Sequence, residues 1–245
     1  MIGTDVPPGP ETLSILTVSD GKTLAKTFTQ TNDPQPLEKG YDNAARFTGS
    51  IATVSNIHEL AQLLADLATD SRSCVILGDF RPDAQLRRNV NRRMNPDPKR
   101  PHVKPDIVPS STGKKALPLD IEKVPMPHSD AVEVTHDKVV GINDPAGAVR
   151  SVIREYLPPY FHGVTAFYAF SSSAGVKGWN EVRLRLWYYM SEPVKSIRLA
   201  TWAKRIKALD PAIYTPNQVI YTATPIFKNM PDPCDNWRVG VIHGD

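Results

Sequence analysis

The sequence predicts an α+β fold. Strand-type runs rich in aromatic and β-branched residues are interleaved with capped, amphipathic helical segments, and no internal repeat organises them. Hydrophobic residues make up 40% of the chain and charged residues 22%, ordinary values for a globular protein. The 245 residues suffice for one large domain or two small ones and bury a core without staples. The 23 prolines, about twice the usual share, point to many irregular connections.

The elements follow in order. Thr12 to Val18 alternates loosely and reads as a strand. Asn56 with Glu59 forms an N-terminal capping pair, and HELAQLLADLA then sets Leu60, Leu63, Leu64 and Leu67 on one helical face. Ser73 to Leu77 is a buried strand ending at Gly78, which makes the N-terminal part an α/β unit. From Phe80 to Lys115 no periodicity appears. Ala116 to Ile121 is a short apolar strand. Asp144-Pro145 starts a helix, with proline at its first position, that runs to about Tyr156. Val164 to Phe170 and Val182 to Met190 are aromatic, β-branched strands. Ser196 caps a helix through Leu209, and Gln218 to Thr222 and Arg238 to His243 close the set.

Several chemistries are excluded by pattern. Gly21-Lys22-Thr23 resembles the end of a phosphate-binding loop, but Leu16 stands where that motif needs glycine. Thr112-Gly113-Lys114-Lys115 lacks the hydroxyl residue after the lysine. No His-x-His, His-x-x-x-His, Cys-x-x-Cys or Gly-x-Ser-x-Gly occurs, which argues against zinc proteases, zinc ribbons and serine hydrolases. The two cysteines, Cys74 and Cys234, fit a reducing cytoplasm. No run of about 18 apolar residues offers a membrane span, and Met1 to Pro10 has no signal-peptide pattern.

Net charge is only +3, so any affinity for nucleic acid must come from local charge. The stretch from Phe80 to Lys115 is that place. It carries Arg87, Arg88, Arg92, Arg93, Lys114 and Lys115 among its cations, with prolines at 82, 96, 98, 101, 105 and 109. It reads either as a solvated linker or as a surface that tracks the phosphates of single-stranded DNA.

Asp120-Ile121-Glu122 follows the apolar Leu117-Pro118-Leu119. On a strand, residues two apart share a face, so the two carboxylates project together and repel unless a cation lies between them. Hard oxygen donors favour Mg²⁺ or Mn²⁺, as in a two-metal phosphoryl-transfer site. An Asp-x-Glu pair is also an ordinary solvent-facing strand end. Downstream, SSSAGVKG leads into a strand bearing Arg183 and Arg185 on one face. Small residues let a phosphate approach the backbone, and two forked arginines suit a triphosphate. The bland alternative is a hairpin loop with two salt-bridged arginines.

The order LPLDIE, then SSSAGVKG with RLRLWYYMSEPV, then KALDPAIYTPNQVIYTATPIFKNMPDP, resembles archaeo-eukaryotic-type primases of phages and plasmids. Matched residue by residue, Asp120 and Glu122 fill the family's metal-binding strand motif. Asp210, after Leu209, is the choice for the third carboxylate, with Asp232 its rival. Arg183-Leu184-Arg185 stands where the family has Ser-x-His, and arginine cannot accept a proton as histidine does. The resemblance implies a two-module fold: an N-terminal α/β module with the basic, proline-rich linker over 1–115, and an RRM-like catalytic module over 116–245, with the active site between them. It implies a primase-polymerase that uses NTP or dNTP on a single-stranded DNA template in a bacterial or archaeal host cytoplasm, with a helicase domain or protein as a further partner. Ser171, Ser172, Ser173, Gly175, Lys177, Arg183 and Arg185 then bind nucleotide, and Trp179, Tyr221 and Phe227 are candidates either for base stacking or for the core. Two other readings stay open: a catalytically silent single-strand- or origin-binding module, and a metal-dependent nuclease. The usual Glu-x-Lys nuclease pattern fails, because Glu122 is followed by Lys123 and Val124.

Overall fold

The computed structural model describes residues 10–86, 89–92 and 104–244. The fold is α+β, and among the described residues it has three α-helices and several sheets whose pairings are almost all antiparallel. Its first strand, β1 (Glu11–Val18), is followed by the short β2 (Thr27–Thr29) and β3 (Leu37–Lys39). The long β4 (Phe47–Val54) then leads into α1 (Ile57–Thr69). Next come β5 (Ser73–Ile76), β6 (Asp79–Phe80) and β7 (Ile107–Val108), then β8 (Lys114–Pro125). A hairpin, β9 (Val132–Thr135) and β10 (Lys138–Ile142), precedes α2 (Pro145–Tyr156). The rest is β11 (Ala166–Phe170), β12 (Glu181–Val194), α3 (Ser196–Ala203), β13 (Ile220–Tyr221), β14 (Ile226–Lys228) and β15 (Val239–Ile242).

Two four-stranded sheets frame the molecule. One has the order β13-β5-β1-β4 and the other β15-β11-β12-β8, both antiparallel throughout. In the first, the inner strands β1 and β5 are buried on both faces, which explains the unbroken apolar run in β5. Leu13 and Ile15, with Val75, face a large core shared with α1, α2 and the second sheet. Leu16 and Val18, with Cys74 and Ile76, face a smaller core with Phe47, Phe80 and Ile107. The alternation is the period of two expected of strands. Burial pushes both the Cys74 and Cys234 thiols up to about 12, so each stays protonated and inert.

Local chemistry explains the boundaries. Asn56 Oδ1 accepts the His58 and Glu59 N–H groups, and Glu59 reaches back to the Ser55 N–H. Asp144 accepts the Gly147 N–H ahead of Pro145, the start expected for α2. His136 and Asp137 both have positive φ, the two-residue turn that matches strand twist in the β9–β10 hairpin.

Several expectations are corrected. The helix from Ser196 ends at Ala203, well short of Leu209, and Ser196 is its first residue rather than its cap. The strand at Ala116 extends from Lys114 to Pro125, because β12 pairs along nearly all of it. A boundary at 115/116 therefore falls inside β8, and β13, from the C-terminal half, completes the N-terminal sheet. That sheet is antiparallel, unlike the parallel sheet of an α/β unit.

Lys114 and Lys115 do not offer charge to DNA. They are only 2% and 6% exposed. The Lys114 ammonium binds Asp79 at 2.6 Å and Glu11 at 3.3 Å, and the Lys115 backbone N–H donates to the Glu11 carboxylate. These groups anchor β8 to the start of β1. Removing one member strands a buried charge, so Lys114→Ala should lose about 3 kcal/mol of stability. Equilibrium unfolding in denaturant should read that loss, while DNA affinity per folded molecule stays unchanged.

Candidate active site

The site begins with β8 as the last strand of its sheet. β12 occupies one side of β8 and sets Arg185 directly opposite Asp120. The free side receives the chain after α3: Ile121 bridges Leu209, the Glu122 N–H donates to Ala208 C=O, and the Asp210 N–H donates to Asp120 C=O at 2.9 Å. The third carboxylate thus arrives through backbone bonding at an open strand edge. One extra residue bulges β8 at Glu122–Lys123 opposite Arg183, and Lys123 takes a positive φ of 52°. Asp210 also caps a short 3-10 helix, Pro211–Tyr214, by accepting the Ala212 N–H at 2.8 Å.

As a result, oxygens of Asp120, Glu122 and Asp210 all lie within 4.8 Å of one another. Asp120 and Asp210 are half-buried and Glu122 is exposed. Asp232 lies elsewhere and forms an ion pair with the buried Arg238, which also donates to Ser171 C=O. The carboxylates open onto a cleft of about 280 Å³ lined by residues of both large sheets and of the segment around β2 and β3. Burial and the nearby Asp120 charge raise the Tyr214 phenol, which stays neutral and donates to Pro118 C=O under the strand.

Arg185 is committed to protein. One terminal nitrogen binds Asp120 at 2.8 Å and the other Tyr221 C=O at 2.8 Å. It holds Asp120 in place and offsets part of the carboxylate repulsion, so the fork expected for a triphosphate is not free there. Arg183 lines the cleft and forms no ion pair among the described residues. Ser171, Ser172 and Ser173 also line it. Gly175 and Lys177 do not, since their turn packs outside it. A β-carbon on Gly175 would lie 2.5 Å from the Trp179 ring and from Pro233.

The three aromatic candidates divide. Trp179 is buried against Phe170 and Trp237, and Phe227 stacks on Phe28. Tyr221 lines the cleft and stacks on Tyr41, with ring centres 3.7 Å apart and planes at 2°. Tyr41, whose hydroxyl lies 3.1 Å from that of Ser172, and Lys26, 5.6 Å from the Tyr41 ring centre, are site residues that no sequence pattern marked. Arg92 lies over the Phe47 ring, its guanidinium carbon 4.8 Å from the centre. Arg87, Arg88 and Arg93 lie outside the described residues.

The donor set suits a hard divalent cation: three carboxylates from two chain segments, converging without a thiol or imidazole. Two further polar atoms at this end of the cleft, Ser171 Oγ and Arg185 Nε, are buried without a protein partner. Compared with protein-family models, curated proteins and solved structures, the chain matches none. Among the described residues no helix is long and apolar enough to cross a membrane.

Metal titration followed by manganese EPR separates the two candidate third carboxylates. Asp210→Ala should weaken Mn²⁺ binding by about tenfold or more. Asp232→Ala should leave Mn²⁺ binding intact yet cost on the order of 2 kcal/mol, because it strands the Arg238 charge.

Proposed function

We propose that the protein is a template-directed nucleotidyltransferase of the archaeo-eukaryotic primase type, joining NTP or dNTP to a primer or initiating nucleotide on single-stranded DNA. The observation that carries this reading is the convergence of Asp120, Glu122 and Asp210 at one end of a cleft that also holds Arg183 and three serines. On this reading, the sheet β15-β11-β12-β8 with its helices is the RRM-like catalytic module. The sheet β13-β5-β1-β4 belongs to the N-terminal module, and the cleft between them takes nucleotide and template.

Asp120, Glu122 and Asp210 hold Mg²⁺ or Mn²⁺. When bound, such ions supply Lewis acidity to a 3′-hydroxyl and charge neutralisation at the α-phosphate. The chain's own residues do the rest. Arg183 binds the β- and γ-phosphates, and Ser171, Ser172 and Ser173 donate hydroxyl hydrogen bonds to them. Arg185 keeps Asp120 oriented. The Tyr41–Tyr221 stack lines the wall of the cleft beside the bound base. The basic segment that includes Arg87, Arg88, Arg92 and Arg93 conducts the template, and a helicase is the natural partner of this activity.

The alternative is a catalytically silent single-strand-binding module. The observation favouring it is the Arg185–Asp120 ion pair, which already neutralises one of the three carboxylates. Nucleotide incorporation on primed and unprimed single-stranded templates, with Mg²⁺ or Mn²⁺, decides between them. The parent should incorporate nucleotide. Asp120→Ala and Glu122→Ala should each fall by about 100-fold, the upper range for disturbing a metal site. Tight DNA binding with no incorporation would establish the silent module, and loss of labelled DNA would establish a nuclease.

Two further outcomes follow from the charged groups. Arg183→Ala should raise the nucleotide KM about tenfold, equivalent to about 1.4 kcal/mol, with template affinity unchanged. Replacing Arg87, Arg88, Arg92 and Arg93 by alanine should weaken single-stranded DNA binding. It should also flatten the log affinity–log salt slope by about 0.7 for each phosphate no longer neutralised. A parental slope in that variant would place the template path elsewhere.

A further inference from the structure

A second pocket, of about 170 Å³, lies where the C-terminal half of α2 meets the end of β15. The strand order β15-β11-β12-β8 puts it at the opposite sheet edge from Asp120 and Glu122. Three strand spacings of about 4.8 Å separate those edges by about 14 Å. Its rim carries four nitrogen-bearing side chains, Arg150, Arg154, His162 and His243, and no acidic residue lines it. Its floor is apolar, made by the buried Ile153, Phe161 and Ile242.

Arg150 and Arg154 are four residues apart on α2 and therefore share a face. Like charges so placed repel and destabilise a helix by about 0.2–0.5 kcal/mol. Among the described residues neither forms an ion pair, and the helix dipole favours only Arg154, which lies in the last turn of α2. The two guanidiniums present forked donors to one opening. His162 is held in place by its Nε2 contact with Leu157 C=O at 3.1 Å. Behind it the chain is tightly closed: a β-carbon on Gly244 would lie 2.4 Å from Gly163 C=O.

We propose that this pocket is a binding site for a phosphomonoester, such as a nucleoside monophosphate, separate from the carboxylate cleft. The phosphate dianion lies between Arg150 and Arg154, where paired forks match its oxygens, with His243 as a third donor. The organic part covers the exposed Val164 and the small apolar area that Ile153, Phe161 and Ile242 leave open at the floor. A bare inorganic anion leaves that floor wet and binds more weakly, and a neutral nucleoside loses the charge-assisted bonds. The cation pair and the apolar floor therefore predict the order AMP, then inorganic phosphate, then adenosine.

Isothermal titration of the full chain in EDTA, with the histidine ring signals followed by NMR, tests this. The carboxylate cleft is lined by three acids and three cations, so a control at Arg183 separates phosphate binding there from binding in this pocket. AMP should bind saturably and shift the His162 and His243 signals. Arg150→Ala/Arg154→Ala should weaken it by roughly tenfold or more, with an unfolding midpoint close to the parent's because both side chains are exposed. Arg183→Ala, which removes the unpaired cation of the carboxylate cleft, should bind AMP as the parent does, even if nucleotide incorporation proves absent in the parent. An oligonucleotide with a 5′-phosphate, compared with its 5′-hydroxyl twin, identifies the source of the phosphate. Preference for the phosphorylated strand over AMP assigns the site to strand ends, and the reverse assigns it to free nucleotide. Unchanged AMP affinity in the arginine variant, equal binding of AMP and adenosine, or no binding by the parent overturns the proposal.

Discussion

Backbone pairing at one strand edge holds the acidic cluster together. Asp120, Glu122 and Asp210 carry like charges and do not gather by their own attraction. They are gathered because β8 is the outer strand of its sheet, and its open edge takes up Ala208 to Asp210 through main-chain hydrogen bonds. Unpaired strand edges attract such partners because buried N–H and C=O groups must be satisfied. The apolar face of β8, with Leu117, Leu119 and Ile121 in the core, fixes which residues point away from it. Carboxylate geometry is therefore set by hydrogen bonds and packing that do not depend on charge.

Arg185 balances that arrangement. Its place opposite Asp120 in the β8–β12 register makes the ion pair almost unavoidable once the sheet forms. A histidine at this position would bring less charge and a shorter reach. The arginine instead bridges Asp120 to Tyr221 C=O, and so ties the acidic strand to β13 of the other sheet. One side chain thus contributes both electrostatic compensation and a link between the two sheets. Arg183, two residues earlier and beside the bulge in β8, is left to face the cleft.

The same economy governs the basic residues. Lys114 and Lys115 belong by sequence to a basic tract, yet they begin β8 and are buried with Glu11. A lysine is placed inside only when a carboxylate accompanies it. The Lys114 partners, Asp79 and Glu11, lie 35 and more than one hundred residues earlier, beyond the reach of any local pattern. On α2 the opposite holds: Arg150 and Arg154 project from a helix whose other face is in the core, and no acid lines the pocket they border.

The sequence by itself determined what local rules govern. Asn56 and Asp144 started their helices because their side chains reach N–H groups two or three residues ahead. Alternation marked β1, an unbroken apolar run marked β5, aromatic and β-branched content marked β11 and β12, and Asp-x-Glu after an apolar run marked the acidic strand. The α+β class followed from those elements. Only the tertiary structure decided the rest. The strands β2, β3, β4 and β14 carry weak local patterns and exist because neighbours supply hydrogen bonds. The convergence of Asp210 on Asp120 and Glu122, the closed Tyr41–Tyr221 stack and the capture of Arg185 by Asp120 join residues distant along the chain. Their energies depend on register and on which edge of a sheet is left open, quantities that are undefined until the strands have paired.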